Sequence, residues 1–562
     1  MIVADTISAF TYLPGGSDWI RILPELILLV TVLVVLLADL AGVPGHKPWL
    51  VLLSLAGVAG AGVASALLWA NGDYGTAFFG MMSADKLALL ADMIVLFTVG
   101  LGLLYSPGYI ERQGIRHQGE YYALMLLAAL GMMLMPSANN LMIVFVGLEV
   151  LSLALYILCA YVVARNRSQE AGMKYFILSS FASAFLLYGM AMTYGSTGTT
   201  SLAGIRAFLA TPAHSLHPST GFGPLLLIGL GLMAVGFAFK VSAIPFQAWT
   251  PDVYVGAPTT VTAFMSVGTK VAAFVALARV FLIALGPIHD DWTPVFWVIA
   301  VLTMIGGNFL AITQRDVKRM LAYSSIANAG YMLVAIVTDT SLSLAALLVY
   351  LGAFAAMNLG AFGVVLALER NDGLGTTLED YNGLARRRPG IAAVMLICLF
   401  SLAGVPPTVG FAGKWYIFYA AIVGNHLELA IIGLLASVGG MFYYLRVVWA
   451  MYFVEPQSSV APALAPSGVV ITETEPALPV SSPAPVSVGA AAVALAEPLV
   501  QPATAVEADA SAVQTPATPA VRAIPAGTWL ALALATILTL ALGIIPGGLY
   551  DFATQAATAI FR

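Results

Sequence analysis

The sequence predicts an all-α polytopic membrane protein with about fourteen transmembrane helices, on three observations. Hydrophobic residues make up 60% of the 562 positions, charged residues only 9%, and the mean hydropathy is +0.93, the composition of a chain solvated by lipid. Apolar runs of about 17 to 25 residues recur from Pro24 onward, each long enough to cross a hydrocarbon core of roughly 30 Å as a helix. The lysines and arginines outside these runs gather in alternate loops, as they do when one side of a membrane protein stays in the cytoplasm.

In order, the runs lie near residues 22–41, 49–70, 86–105, 120–136, 140–163, 170–190, 223–245, 258–285, 292–313, 321–337, 342–368, 391–422, 427–453 and 527–547. The first lacks a basic flank and a small-residue cleavage site, so a retained helix is expected there. Lys47, Arg112, Arg116, Arg165, Arg167, Arg315, Lys318, Arg319, Arg370 and Arg386 to Arg388 mark the cytoplasmic loops. The intervening loops (NGDYG, PSANN, 194–222, GPIHDD and VGNHL) are almost free of basic residues. An even helix count then places both termini outside the cytoplasm.

Residues 455–525 break the pattern, being rich in Ala, Pro, Val, Ser and Thr with no Lys or Arg before Arg522. A low-complexity cytoplasmic linker between the last two spans is the reading, either a tolerated insertion or a docking arm. Replacing it with a short Gly/Ser tether is expected to leave membrane assembly intact; loss of the assembled protein on a native gel would identify a docking arm.

What is missing excludes several chemistries. Two cysteines in separate apolar runs, Cys159 and Cys398, cannot build an iron–sulfur cluster or a zinc site. The six histidines are expected in loops, leaving no pair to hold a haem within the membrane. No Gly-rich loop ending in Lys-Ser/Thr is present to cradle phosphates.

A few ionisable groups remain inside the runs, and their burial is costly enough to make them functional candidates. Glu149, in LMIVFVGLEVLSLALYIL, is about 13 Å from either end of its helix; a structural acid bonded to a neighbouring helix is the alternative. Lys174, in AGMKYFILSS, lies nearer the cytoplasmic end and could extend to the interface instead. Lys240 and Lys270 stand thirty residues apart on successive spans joined by SAIPFQAWTPDVYVGAPTT. Pro245 ends the helix close to Lys240, and backbone freed there is tolerated only beside water or protein. The arrangement recurs at LAGVPPTVGFAGKWYIF, where Pro406, Pro407, Gly410 and Gly413 interrupt a span just before Lys414. Broken helices mark ion sites in transporters, and two of them suggest two related halves.

The stretches FAFKVSAIPFQAWTPDVYVGAPTTVTAFMSVGTKVAAF, RDVKRMLAYSSIANAGYMLVA and SLAGVPPTVGFAGKWYIF resemble the antiporter-like subunits of the proton-translocating NADH-quinone oxidoreductase, respiratory complex I, and among them subunit N. TPDVY after the first break, and lysines at both Lys270 and Lys414, favour that branch over the sister subunits L and M. The resemblance implies two inverted five-helix repeats, 120–285 and 292–453, preceded by a three-helix segment (1–119) and followed by one helix (527–562). It implies that Glu149 and Lys240 form an acid–lysine pair, that Lys270 is a central relay lysine, that Lys414 serves the second half-channel, and that Lys174 is a further relay lysine. It also implies a bacterial inner membrane and neighbours that include subunit M and small membrane subunits, with no nucleic acid. Cofactors are expected only in other subunits of the complex: FMN, iron–sulfur clusters and quinone. Two departures stand out, since Gln247 and Asn328 occupy positions where the family usually carries histidine. The rival readings are a subunit of a multisubunit cation/proton antiporter, which shares these groups, and a structural spacer that transports nothing.

Overall fold

The computed structural model describes residues 14–41, 47–115, 118–211, 223–370, 373–455 and 523–559. Twenty α-helices run through them. The first are α1 (Gly16–Arg21), α2 (Leu23–Ala41) and α3 (Pro48–Asn71), then a hairpin of β1 (Gly75–Ala77) and β2 (Met82–Ala84), then α4 (Lys86–Gln113). The first large helical group is α5 (Gln118–Leu134), α6 (Leu141–Cys159), α7 (Asn166–Thr197), the short α8 (Leu202–Leu209), α9 (Gly223–Lys240), α10 (Trp249–Gly256) and α11 (Thr259–Ala278). The second is α12 (His289–Ile312), α13 (Val317–Thr338), α14 (Ser341–Leu368), the single-turn α15 (Leu384–Arg387), α16 (Pro389–Ala403), α17 (Val409–Val423) and α18 (Leu427–Phe453). Last come α19 (Ala526–Ile544) and α20 (Gly547–Thr558).

Twelve of the described helices are long and apolar enough to cross a membrane. The 17-residue α5 and the broken pair α16/α17 fill the other two predicted positions. The chain is a multi-pass, predominantly helical membrane protein. Several boundaries differ from the sequence reading. The run 223–245 stops being helical at Lys240, and 391–422 is two helices around a break at 404–408. The expected single C-terminal helix is also two, because Pro546 follows the end of α19 and a new helix starts at Gly547. The loop around NGDYG holds the three-residue strands, Gly75 pairing with Ala84, and the 194–222 stretch contains α8. His289 is the first residue of α12 and His426 the N-cap of α18, so neither lies in a free loop. Most of the 455–525 linker lies outside the described residues. At its margins Glu455 pairs with Arg386 at 3.5 Å and Pro525 packs over Gly108, so the tether replacement is properly confined to 457–522.

Helix ends are set by local chemistry. Asp85, Asn140 and Asp316 accept the free backbone N–H groups of Ala88, Met142 and Arg319 at 2.8 to 2.9 Å. Thr340 and Ser343 cap one another reciprocally at 3.0 Å. The centre of the bundle is α11, α13 and α14, buried over nearly their whole length. The outer helices turn leucine and phenylalanine outward, as Leu37, Leu40, Leu435 and Phe453 do. That inversion suits a lipid solvent, where helices gain little from hiding apolar surface and associate through close packing of small residues. At Gly330 an added Cβ would lie 2.6 Å from the Met304 backbone nitrogen, and at Gly307 one would lie 2.7 Å from that of Ala327, so α12 and α13 touch backbone to backbone.

Candidate functional site

Each large helical group contains one interrupted helix, and each interruption carries a buried lysine. The α9 helix ends at Lys240, and the chain passes through Val241–Ala248, including a cis Ile244–Pro245 bond, before α10. The carbonyls released at this end are taken up locally. Val241, Ser242 and Ala243 donate to Phe237, Phe239 and Ala238 at 2.8 to 3.0 Å, and the Trp249 indole donates to Phe239 O at 3.0 Å. Ser242 takes a left-handed conformation (φ 65°) with its hydroxyl accepting from Thr250 at 2.7 Å, and Ile244 N donates to Thr303 on α12 at 3.0 Å. The break is therefore pinned to both helical groups.

Lys240, 2% exposed, sends its ammonium toward α6 and α7, donating to Ser152 Oγ at 2.7 Å and Tyr175 OH at 3.2 Å. Tyr175 is held by stacking on Trp249 at 4.7 Å with the planes 8° apart, so the break itself positions the acceptor for its own lysine. Glu149 lies three residues before Ser152 on α6, on the same face. One of its carboxylate oxygens is buried without a hydrogen-bond partner. The Lys240 ammonium thus bonds two hydroxyls, with Glu149 on the same helix as the first of them.

Lys414 occupies the second break differently. The α16 helix closes on Gly404 (φ 86°), and the Lys414 ammonium folds back onto that end, donating to Leu402 O at 2.9 Å, Ala403 O at 3.3 Å and Ser437 Oγ at 2.8 Å. A cation on the last carbonyls of a helix is favoured by their partial negative charge. The same ammonium lies 4.8 Å from the Tyr331 ring centroid, a cation–π distance. Gly410 is required here, because a side chain would run into the Ser401 carbonyl.

Lys270 sits in the middle of α11, whose residues are all buried, and its amine has no hydrogen-bond partner. Lys174, by contrast, has a side chain 42% exposed and pairs with Glu170 at 2.7 Å and Asp252 at 3.0 Å. Asp252, within the TPDVY stretch, also binds Arg319 at 3.2 Å. Lys174 belongs to this surface ion-pair cluster and is not brought to the buried lysines. Among the described residues, no ion pair joins a carboxylate to Lys240, Lys270 or Lys414.

Sequence reasoning missed several polar groups of the interior. Lys318, read as a loop residue, is in the first turn of α13, 3% exposed, and donates to Ala257 O at 2.8 Å and Val255 O at 3.3 Å at the end of α10. Its RDVKR surroundings look like a cytoplasmic loop, and only the docking of α10 against α13 buries it. Asn358 on α14 donates to Ser266 at 2.7 Å, one helical turn from Lys270. Beyond it, Tyr350 donates to Asn328 at 2.5 Å, Asn328 donates to Ser324 O at 2.8 Å, and Ser324 bonds Tyr444. Asn308 links Tyr331 and Tyr443 at 3.0 Å each. Tyrosine, serine and asparagine thus line the ground between Lys270 and Lys414. Asn328, where histidine was expected, is a hydrogen-bond junction. No group of three or more His, Cys, Asp or Glu side chains able to hold a metal ion occurs among the described residues.

Residues 138–439 match the family described as NADH:quinone oxidoreductase/Mrp antiporter, TM. NADH-quinone oxidoreductase subunit N of Trichlorobacter lovleyi is 44% identical over 432 residues, covering 77% of this chain and 87% of the relative. NADH-quinone oxidoreductase subunit N 1 of Koribacter versatilis is 40% identical over 463 residues, covering 80% and 90%. The chain belongs to the NADH-quinone oxidoreductase subunit N family. A chain of respiratory complex I from Thermus thermophilus, solved with bound aureothin, superposes with a TM-score of 0.69 at 30% identity over 94% of this chain and 98% of that one. The Mrp complex of a Dietzia species shares the fold, with a TM-score of 0.75 at 19% identity over 97% of this chain and 98% of that one. The family match contains Glu149, Lys174, Lys240, Lys270 and Lys414.

Proposed function

We propose that the chain is a proton-translocating membrane subunit of an NADH-quinone oxidoreductase, moving protons through Glu149, Lys240, Lys270 and Lys414 as quinone is reduced elsewhere in the complex. The observation that carries this reading is three enclosed lysines, two of them at helix breaks, each held by hydroxyls, carbonyls or nothing, and none neutralised by a carboxylate. Approach of the Glu149 carboxylate would hold a proton on Lys240, and its withdrawal would let the proton pass toward Lys270. Ser152, whose hydroxyl donates to Leu148 O, accepts from the ammonium, and Tyr175 can accept from the ammonium or donate to the amine, so the site serves both states. The Asn358, Tyr350 and Asn328 region then offers donors and acceptors toward Lys414. Against a membrane potential each translocated charge costs about 2.3 kcal/mol per 100 mV, a demand that switching one buried charge pair can meet. Lys174, exposed and doubly paired, is proposed as a gate-side residue of this relay on the cytoplasmic surface.

The two helical groups, 120–285 and 292–453, are proposed as inverted repeats, since each breaks its fourth long helix. The proposal extends to a bacterial inner membrane with both termini outside the cytoplasm, to neighbours including subunit M and small membrane subunits, and to FMN, iron–sulfur and quinone chemistry confined to other subunits. Likeness to the Mrp complex keeps cation/proton exchange as the second reading. The deciding experiment is NADH-driven proton uptake by inverted membrane vesicles in sodium-free buffer. Full uptake is expected, and a requirement for sodium would favour exchange.

Gln247 provides a milder check. Its side-chain oxygen is buried without a partner beside the first break, and an amide can bridge water but not carry a proton near neutral pH. Gln247→His is expected to assemble and pump as wild type does, measured as proton uptake normalised to the complex on a native gel. Loss of pumping in the assembled variant would make this position a tuned part of the relay.

A further inference from the structure

A groove of about 320 Å³ lies between α12 and α18, walled by Ile305, Phe309 and Ile312 on one side and Leu435, Ala436 and Gly439 on the other. Phe309 and Leu435, 68% and 66% exposed, put it on the outward face of the bundle. Gly439 keeps the space clear, because a Cβ built there would meet nothing within 4 Å. The floor is Asn308, 5% exposed. Its amide is engaged inward, donating to Met304 O at 2.8 Å and Tyr331 OH at 3.0 Å and accepting from Tyr443 OH at 3.0 Å. The groove therefore offers a guest hydrocarbon contacts.

One end of it is positively charged. Arg446 follows Gly439 by seven residues on the same face of α18, about 10 Å farther along. Its guanidinium donates to the carbonyl of Ile312, a wall residue, at 2.9 Å, and to Gln314 O. Those carbonyls end α12 and carry only partial negative charge, so the site stays cationic. Arg315 comes next in the chain and is exposed. Neither arginine forms an ion pair among the described residues. Asp380 and Glu455, on neighbouring segments, pair instead with Arg370 and Arg386, and Asp316 accepts from Arg319 N and Thr376. Beyond Arg446, Trp449 and Phe453 stack at 4.7 Å and are exposed, as aromatic side chains are where a membrane meets water.

We propose that this groove binds an anionic phospholipid, with one acyl chain between α12 and α18 and the phosphate at Arg446 and Arg315. Spread over the roughly 10 Å from Ile305 to Ile312, the volume has a cross-section of about 30 Å². That admits one hydrocarbon chain and not a helix, which is about 10 Å across. A purely apolar guest would leave the arginines unanswered, and a zwitterionic lipid brings a cation of its own to them. An anionic headgroup matches both ends of the site. The occupant also closes the lipid side of the second helix break. Ser437 on α18 holds the Lys414 ammonium at 2.8 Å, and Tyr331, bonded to the groove floor, has its ring centroid 4.8 Å from the same ammonium. Binding stands apart from the relay, since it requires no proton to move.

The test reconstitutes the assembled complex into vesicles with phosphatidylglycerol or phosphatidylcholine carrying a photoreactive group in one acyl chain, and maps the label by mass spectrometry. Phosphatidylglycerol should label residues 305–312 and 432–439 preferentially at low salt. A basic residue near an anionic headgroup is worth about a fivefold gain in binding, so Arg315→Gln and Arg446→Gln should each lower the preference about fivefold. Gly439→Leu fills the groove without a backbone clash and should remove label from these two segments alone. Arg315 is exposed, so its variant reads the headgroup contact with no change to packing. Equal labelling by the two lipids would make the groove ordinary bilayer surface and overturn the proposal. Absence of label from either lipid would show a neighbouring subunit covering the groove, and undiminished label in Gly439→Leu would place the lipid elsewhere; both overturn it too.

Discussion

Lys240→Arg is expected to pump protons no better than Lys240→Ala, although it keeps the positive charge. The guanidinium does not release its proton at accessible pH, with a pKa above about 12. Lys240 also sits in a space fitted to one ammonium, with Ser152 Oγ at 2.7 Å, Tyr175 OH at 3.2 Å and the Tyr175 ring centroid at 5.4 Å. A planar fork with five donors cannot be satisfied by two hydroxyls. Alanine removes the carrier and leaves Ser152 and Tyr175 facing a gap. The measurement is NADH-driven proton uptake normalised to assembled complex. Near-normal pumping by the arginine variant would make Lys240 a fixed structural charge and remove the first step of the relay.

Arg279→Leu is expected to lower the amount of assembled complex severely. Arg279 Nη2 lies 2.6 Å from an Asp85 carboxylate oxygen, with the two side chains 4% and 23% exposed, and removing one partner of a buried pair costs about 3–5 kcal/mol because the other charge is left unpaired. That is a large part of the roughly 5–15 kcal/mol that keeps a typical domain folded. Replacing both partners, as Arg279→Leu with Asp85→Leu, should recover much of the loss but not all. Asp85 also caps α4 through Ala88 N at 2.9 Å, a contact worth about 1 kcal/mol. Native-gel yield against growth temperature for the single and double variants gives the comparison. Equal yields for Arg279→Leu and wild type would show that the pair is not needed for folding.

The lysines were legible in the sequence because a cation inside an apolar run has no ordinary explanation, and the breaks were legible because Pro245 and Pro406–Pro407 cannot continue a helix. What each lysine touches was not legible. Ser152 and Tyr175 reach Lys240 from 88 and 65 residues away, and nothing in the local pattern of either marks it as an acceptor. Lys174 resembled the others in sequence and differs only because Glu170 and Asp252 hold it at the surface. Lys318 was the reverse, a basic residue in a basic stretch that tertiary packing encloses. Arg279 was passed over although it too interrupts an apolar run; its meaning depends on the contact with Asp85 across 194 residues.

The backbone contact between α12 and α13 bears on what kind of traffic this protein can carry. Where these helices touch at Gly307 and Gly330, the backbones meet with almost no side chain between them, so sliding one past the other would cost both contacts. A transporter that exposes its site alternately to two sides needs such sliding, and a dehydrated sodium ion needs a passage as wide as itself. A proton needs neither, since it advances by exchange between neighbouring oxygens and nitrogens that hardly move. Where the frame is clasped this tightly, the proposed relay would have to run like wiring through an insulator, by rotation of side chains against a backbone that stays in place.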